Sequence, residues 1–160
     1  MAQAPQQPVP QAAGGAGPSG PRAGFWARFG ALLIDGILVG IVASILSAIL
    51  GGGDGGTFSG TYQAIQAILG LAYYVYFEGG PSGQTLGKKA LNIRVIDFAA
   101  GGSIGYGRAL VRNLGRYLSG LVLLLGYLWM LWDKEKQTWH DKFANSVVVP
   151  TSAYPVQAGA

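Results

Sequence analysis

Apolar and polar positions fall in long blocks along this chain. The first apolar block runs from about Phe25 to Leu50. Its unbroken part, GILVGIVASILSAIL, needs the preceding ALLID to reach the ~20 residues that span a bilayer, so Asp35 falls inside the span. GGGDGG then breaks the helix. The second block, TYQAIQAILGLAYYVYF from about Thr61 to Phe77, gathers tyrosines near its end, as membrane interfaces do. Glu78 and GGPSG stop it. A polar stretch follows, Gln84 to Arg116. In it LNIRVID alternates Leu91, Ile93 and Val95 with polar neighbours and predicts a short strand. AAGG predicts a turn, and GRALVRNLGRYL sets Arg108, Arg112 and Arg116 four apart on one stripe of an amphipathic helix. The last block, LSGLVLLLGYLWMLW from Leu118 to Trp132, is short for a span by itself at 15 residues. Polar sequence returns after it and ends in a second strand candidate, Ser146 to Val149. The pattern predicts an all-α membrane protein, a polytopic helical bundle of three to four membrane-embedded helices (about 25–50, 61–77, 105–118 and 119–132) with a small cytoplasmic β element.

Residues 1–24 hold Ala, Gln, Pro, Gly, Val and Ser with one Met and one Arg, and have little to bury. They are expected to form a disordered tail, as are residues 151–160, leaving a membrane domain over 25–150. The basic start and apolar run of a signal peptide are missing, so the first block is expected to stay as an uncleaved anchor. Composition agrees with the blocks. Half of the 160 residues are hydrophobic and 11% are charged, against about 25% in a soluble domain. Mean hydropathy is +0.33. The absence of cysteine rules out disulfides, thiolate metal sites and a cysteine nucleophile.

The net charge of +4 matters through its placement. Lysines and arginines lie between the apolar blocks, as in cytoplasmic membrane loops, so no nucleic acid partner is expected. The 51–60 loop has none and should face outward. The 84–116 stretch carries Lys88, Lys89, Arg94, Arg108, Arg112 and Arg116 against Asp97 alone and should face the cytoplasm, with the N-terminus. The expected location is the inner cell membrane, multi-pass. Three simple crossings would leave the C-terminus outside. A helical hairpin over Gly105 to Trp132, bending near Ser119 and Gly120, would bring it back, where SVVV could pair with NIRVI.

Arg28 and Asp35, seven residues apart, share one helix stripe about 10 Å apart along the axis. Arg28 can snorkel toward head groups; Asp35 is too short and needs a partner inside the protein or a protonated state. Beside them Gly36, Gly40, Ser44 and Ala48 form a small-residue face at which another helix can approach. On the second block Gln63, Gln66, Gly70, Tyr73 and Phe77 line one side, expected to meet the first helix and supply polar partners. The arginine stripe is the other candidate partner for Asp35 or Glu78. An intramembrane acid admits two readings: a cation, proton or basic-ligand site on a polar path, or a structural carboxylate that fixes helix packing.

The stretches ARFGALLID, GQTLGKKALNIRVID, GRALVRNLGRYL and WDKEKQTWHDKFANSVVV, in that order, resemble the RDD family of bacterial membrane proteins over roughly residues 24–149. By this resemblance the family's arginine is Arg28 and its two aspartates are Asp35 and Asp141. FANSVVV departs mildly from the family's usual LAGTVVV. The resemblance implies a polytopic integral membrane protein involved in transport of ligands not yet identified. Together with Arg112 of the stripe, these make Arg28, Asp35, Arg112 and Asp141 the expected binding residues.

Other signals are read conservatively. SGQTLGKK looks like a phosphate loop but has Ser82 where the first Gly belongs and Lys89 where Ser or Thr belongs, so a tight turn explains it better. His140 beside Asp141 is the only histidine, which makes a metal site improbable; Asp141 is expected to cap or anchor the turn before the last strand, salt-bridging the arginine stripe. Trp129, Trp132 and Trp139 read as interface anchors. No enzyme activity, cofactor or metal is expected. The expected partners are the lipid bilayer, an unidentified small ligand or ion on a path at Asp35, and a second copy or another membrane protein. The alternative function is a non-transporting adaptor or assembly protein that binds proteins through its small-residue helix faces and basic loop.

Overall fold

The computed structural model describes residues 20–50, 59–122 and 125–156. The proline-rich stretch 1–19, the glycine loop 51–58 and the end 157–160 lie outside the described residues, and with them most of the expected N-terminal tail, the end of the expected C-terminal tail and most of the loop expected to face outward. The elements run α1 Phe25–Ile49, α2 Gly60–Gly79, α3 Leu86–Ala90, β1 Ile93–Asp97, α4 Gly105–Leu121, α5 Leu125–Leu128 with a 3-10 turn Trp129–Leu131, α6 Trp139–Phe143 and β2 Ser146–Pro150.

Among the described residues one helix, α1, is long and apolar enough to cross a membrane. A second candidate exists only if α4 and Leu125–Leu131, bent by 113°, count as one broken span. α2 has the length, but Gln63, Gln66 and its tyrosines make it too polar to pass the same test. The structure is thus mostly helical with a small sheet, and among the described residues carries one candidate membrane-spanning helix where three to four were expected. The expected helix 119–132 is not one helix. α4 runs on to Leu121, with the Ser119 hydroxyl donating to the Gly115 carbonyl (2.8 Å) inside it, and Leu125–Leu128 is a separate short helix.

The two strands pair antiparallel, with Ile93 opposite Pro150, Val95 opposite Val148 and Asp97 opposite Ser146. Ile93, Val95 and Val148 on one face pack with Ala31 of α1 and Ala109 of α4. Ile96, Val147 and Val149 on the other face pack with Phe98 and Tyr154. A two-stranded sheet leaves two open edges, and both are covered. The Val95 N–H donates to the Gly83 carbonyl (2.8 Å), and the Ala23 N–H donates to the Val148 carbonyl (2.9 Å). Gly83 has φ +62°, and a Cβ there would lie 2.1 Å from the Val95 oxygen, so only glycine fits. These contacts correct both tail boundaries. Residues 20–24 and 151–156 belong to the folded body, because they cover an edge and a face of the sheet that would otherwise meet water.

The fold contains an internal repeat. QTLGKKALNIRVID (84–97) and QTWHDKFANSVVVP (137–150) align at a spacing of 53 residues, with Gln84/Gln137, Thr85/Thr138, Lys89/Lys142, Asn92/Asn145 and Val95/Val148 identical. Each copy is the same device. A threonine caps a five-residue helix, an asparagine in the left-handed region (φ 53° and 45°) ends it, and a five-residue strand follows. Each glutamine also donates to the carbonyl of its own strand's first residue (2.9 and 2.8 Å). Val95 opposite Val148 marks the pseudo-two-fold axis. Two helices also precede each copy, α1–α2 and α4–α5, although α5 is a four-residue turn where α2 has 20 residues, and the two halves of the chain close on one sheet.

The residues just before α1 are tied to the last strand by the Ala23–Val148 bond and to the turn before α6 by an Arg22–Glu135 ion pair. Both ends of the domain therefore lie at one end of α1. Fluorescent-protein and alkaline-phosphatase fusions at the two termini should report the same side of the membrane; opposite sides would contradict this arrangement.

Candidate functional site

Asp35 is 1% exposed and makes no ion pair among the described residues. Its carboxyl group accepts from three neutral donors. The Tyr73 hydroxyl (2.7 Å) and the Gly87 N–H (2.8 Å) reach Oδ1, and the Thr85 hydroxyl (2.6 Å) reaches Oδ2. Thr85 is the N-cap of α3, and its oxygen also accepts from the Lys88 N–H (3.2 Å). The phosphate-loop look of SGQTLGKK has its explanation here: the turn does receive an anion-type group at a helix start, but α1 supplies it. Of the expected partners, Tyr73 bonds Asp35, Gln63 is exposed, and the arginine stripe does not reach it. The packing face of α1 is Ala31, Asp35, Val39, Ala43 and Ser47, not the small-residue face beside it, where a Cβ on Gly36 would meet nothing within 4 Å.

A second cluster joins both halves. Glu78 at the end of α2, fully buried, pairs with Lys88, with Arg112 (3.0 Å) and with Arg116 (2.9 Å). Arg112, 2% exposed, also pairs with Asp141 (2.6 Å), whose other oxygen pairs with Arg28 (2.5 Å). Asp141 is held in turn by a capping box with Thr138 at the start of α6. Arg108 leaves the cluster and pairs with Asp97 instead. Of the four expected residues, Arg28, Arg112 and Asp141 form one chain of contacts. Asp35 stands apart with Tyr73, Thr85 and Gly87. Sequence reasoning missed Thr85, Gly87 and Lys88 as partners; the repeated QT…N pattern was the signal that could have found them.

These groups border a cavity of about 420 Å³ lined by residues including Arg28, Asp35, Lys88, Arg112 and Arg116, with apolar walls from Phe29, Leu32 and Met130. Burial pulls the Lys88 ammonium down to about 8, against the Glu78 carboxylate that raises it. Burial raises the Asp141 carboxyl, but Arg112 and then Arg28 overcome this and hold it below the usual carboxylate range. His140 is not a relay partner in this arrangement. Burial drives it well below its ordinary value, and its ring lies edge-on to Tyr127 at 5.0 Å. No group of three or more His, Cys, Asp or Glu that could hold a metal occurs among the described residues.

An apolar helix whose buried aspartate is clasped by a polar sheet-bearing cap, beside a chain of buried arginine–carboxylate pairs, fits a membrane-associated protein. The chain belongs to the RDD family, whose sequence profile matches residues 22–145. Over 91 residues it is 35% identical to a proline-rich antigen homolog of Mycobacterium tuberculosis, covering 55% of this chain and 38% of that protein. Over 86 residues it is 34% identical to the proline-rich antigen of Mycobacterium leprae, covering 52% and 34%. The chain thus spans little more than a third of the length of these curated relatives. No solved structure matches it.

A Cβ on Gly87 would lie 2.3 Å from the Ala31 carbonyl oxygen and 2.9 Å from the Asp35 carboxyl, with backbone on one side that cannot yield. Gly87→Ala should destabilise by more than about 2 kcal/mol, read as a fall in the detergent-solubilised unfolding temperature; an unchanged temperature would refute the clasp. Arg112→Ala takes one cation from each of two buried carboxylates, leaving Glu78 with Lys88 and Arg116 and Asp141 with Arg28, and should remove about 1–3 kcal/mol, with Arg112→Lys recovering only part because ammonium cannot span both acids. Equal melting of Arg112→Lys and the parent would show that the bridge contributes nothing.

Proposed function

We propose that this chain binds a small ligand in the cavity between its two halves, as the binding step of a transport-related function in a polytopic inner-membrane protein. One observation supports this most: the cavity at one end of the membrane helix is lined by Arg28, Lys88, Arg112 and Arg116, while the protein carboxylates that engage these four cations are Glu78 and Asp141. Buried charge beyond what packing needs is the mark of a pathway or a ligand site in membrane proteins. Related halves that meet at such a site are also how many transporters are built. On this reading the sheet end, where the lysines and arginines gather, faces the cytoplasm. Asp35 acts as the lock that holds α1 to α3, and the arginines meet the ligand.

The adaptor reading keeps one supporting observation, the open face at Gly36 and Ala48, which no described element covers. Thiol labelling separates the two, since the chain has no cysteine. Gly120→Cys lies on the cavity wall, and Val39→Cys continues the buried stripe of α1 beyond Asp35. Transport expects an impermeant thiosulfonate to modify Gly120→Cys from the sheet side and Val39→Cys from the far side, in oriented vesicles. Protection of both positions, with a stoichiometric protein partner in mild detergent, would favour the adaptor.

A further inference from the structure

We propose that the cavity seats the phosphate-class oxyanion of an anionic amphiphile, with its apolar chain leaving between α1 and α4. This rests on reading the cavity as a ligand site and adds the class of ligand. Charge comes first. Four cationic side chains border the space, and Glu78 and Asp141 are the two carboxylates that engage them; Asp35, the other acid on the wall, is filled by three neutral donors. A cationic ligand would add to that excess, whereas an anion relieves it.

Spare donors come second. The buried Nη1 of Arg116 and Nε of Arg28 have no hydrogen-bond partner among the described residues. Arg116 is meanwhile fixed in orientation, since it stacks on the Tyr74 ring at 4.1 Å and bonds Glu78 through Nη2. An oriented guanidinium with a free N–H suits phosphate-type oxygens. The repeat supplies a third argument. Arg28 near the start of α1 and Arg112 in the middle of α4 each lie three residues before a small residue, Ala31 and Gly115, and these two pack against the matching Gly87 and His140. The two arginines thus come from opposite halves and meet on one carboxylate, Asp141, at the cavity wall.

The walls decide between a soluble anion and an amphiphile. Phe29 and Leu32 of α1 and Tyr117 of α4 line the cavity and are each at least a third exposed. They lie on the outer surface as well as the wall, so the rim of a charged interior is apolar and opens alongside the membrane helix. A free anion gains nothing from such a rim, whereas a lipid chain buries against it.

Native mass spectrometry and thermal unfolding of the purified full-length chain in detergent test this with three probes: phosphatidic acid, phosphatidylcholine and inorganic phosphate. Two variants accompany the parent. Arg116→Gln removes the free donor but leaves Glu78 with Lys88 and Arg112. Gly120→Phe fills the wall at a position whose Cβ meets nothing within 4 Å and which makes no ion pair. The expected result is one phosphatidic acid per chain with a saturable rise in unfolding temperature. Both variants should bind it roughly tenfold more weakly, phosphatidylcholine should bind weakly to all three, and phosphate should not compete at equal concentration. If Arg116→Gln fails to fold, Gly120→Phe carries the comparison. Equal binding by the parent and Gly120→Phe, no phosphatidic acid adduct on the folded parent, or displacement by equimolar phosphate would each overturn the proposal. Reactivity of Gly120→Cys without any phosphatidic acid adduct would overturn the ligand class alone and leave the cavity as a site for another ligand.

Discussion

The rest of this structure depends on one guanidinium. Arg112 lies almost wholly out of water between Glu78 of α2 and Asp141 of α6. A buried charge is tolerable only beside its opposite, so the end of α2, the face of α4 and the start of α6 have to converge on it. Arg28 adds α1 through the other oxygen of Asp141, and Lys88 adds α3 through Glu78. Five of the six helices are thereby tied to two carboxylates. Apolar contacts alone, which have no direction, would leave such short elements as α3 and α6 free to slide.

The two aspartates do different work. Asp141 is an ionic hub, set in place by the cap of its own helix. Asp35 is held by hydroxyls and a backbone N–H, and fastens α1 to the turn that opens the first repeat. A helix start can satisfy an acid without a cation, because its first N–H groups have no partner inside the helix. That explains how Asp35 can sit deep against an apolar helix with every arginine engaged elsewhere. It also explains the glycine two residues after the Thr85 cap, since any side chain there would push α1 away.

The pseudo-two-fold gives the halves related frames and different chemistry. Where the first copy has Gly87 and Lys88, the second has His140 and Asp141. The first copy accepts an aspartate from α1; the second offers an aspartate to Arg28 and Arg112. Exchanging the sign of one position across the axis makes each half complete the other. The cavity lies where the halves meet, beside the cations this exchange leaves in excess.

Much was legible in the sequence because it is local. The apolar length of α1, the alternation of NIRVI, the apolar run SVVV, the stripe of Arg108, Arg112 and Arg116 and the capping role of Asp141 all follow from local pattern, and the family follows from four motifs in order. Periodicity could not say which acid meets which base, since Asp35, Glu78 and Asp141 are interchangeable to a pattern of charges. Only the fold decided that Asp35 goes to Thr85 and Gly87 while Arg112 takes Glu78 and Asp141, because that choice depends on which groups burial brings within about 3 Å. The division of the last apolar block into a helix end, a bend and a short turn was likewise decided by packing. Chain length and hydrophobicity allow a span there, but the partners of α4 and α6 fix where the chain must turn back to reach the sheet.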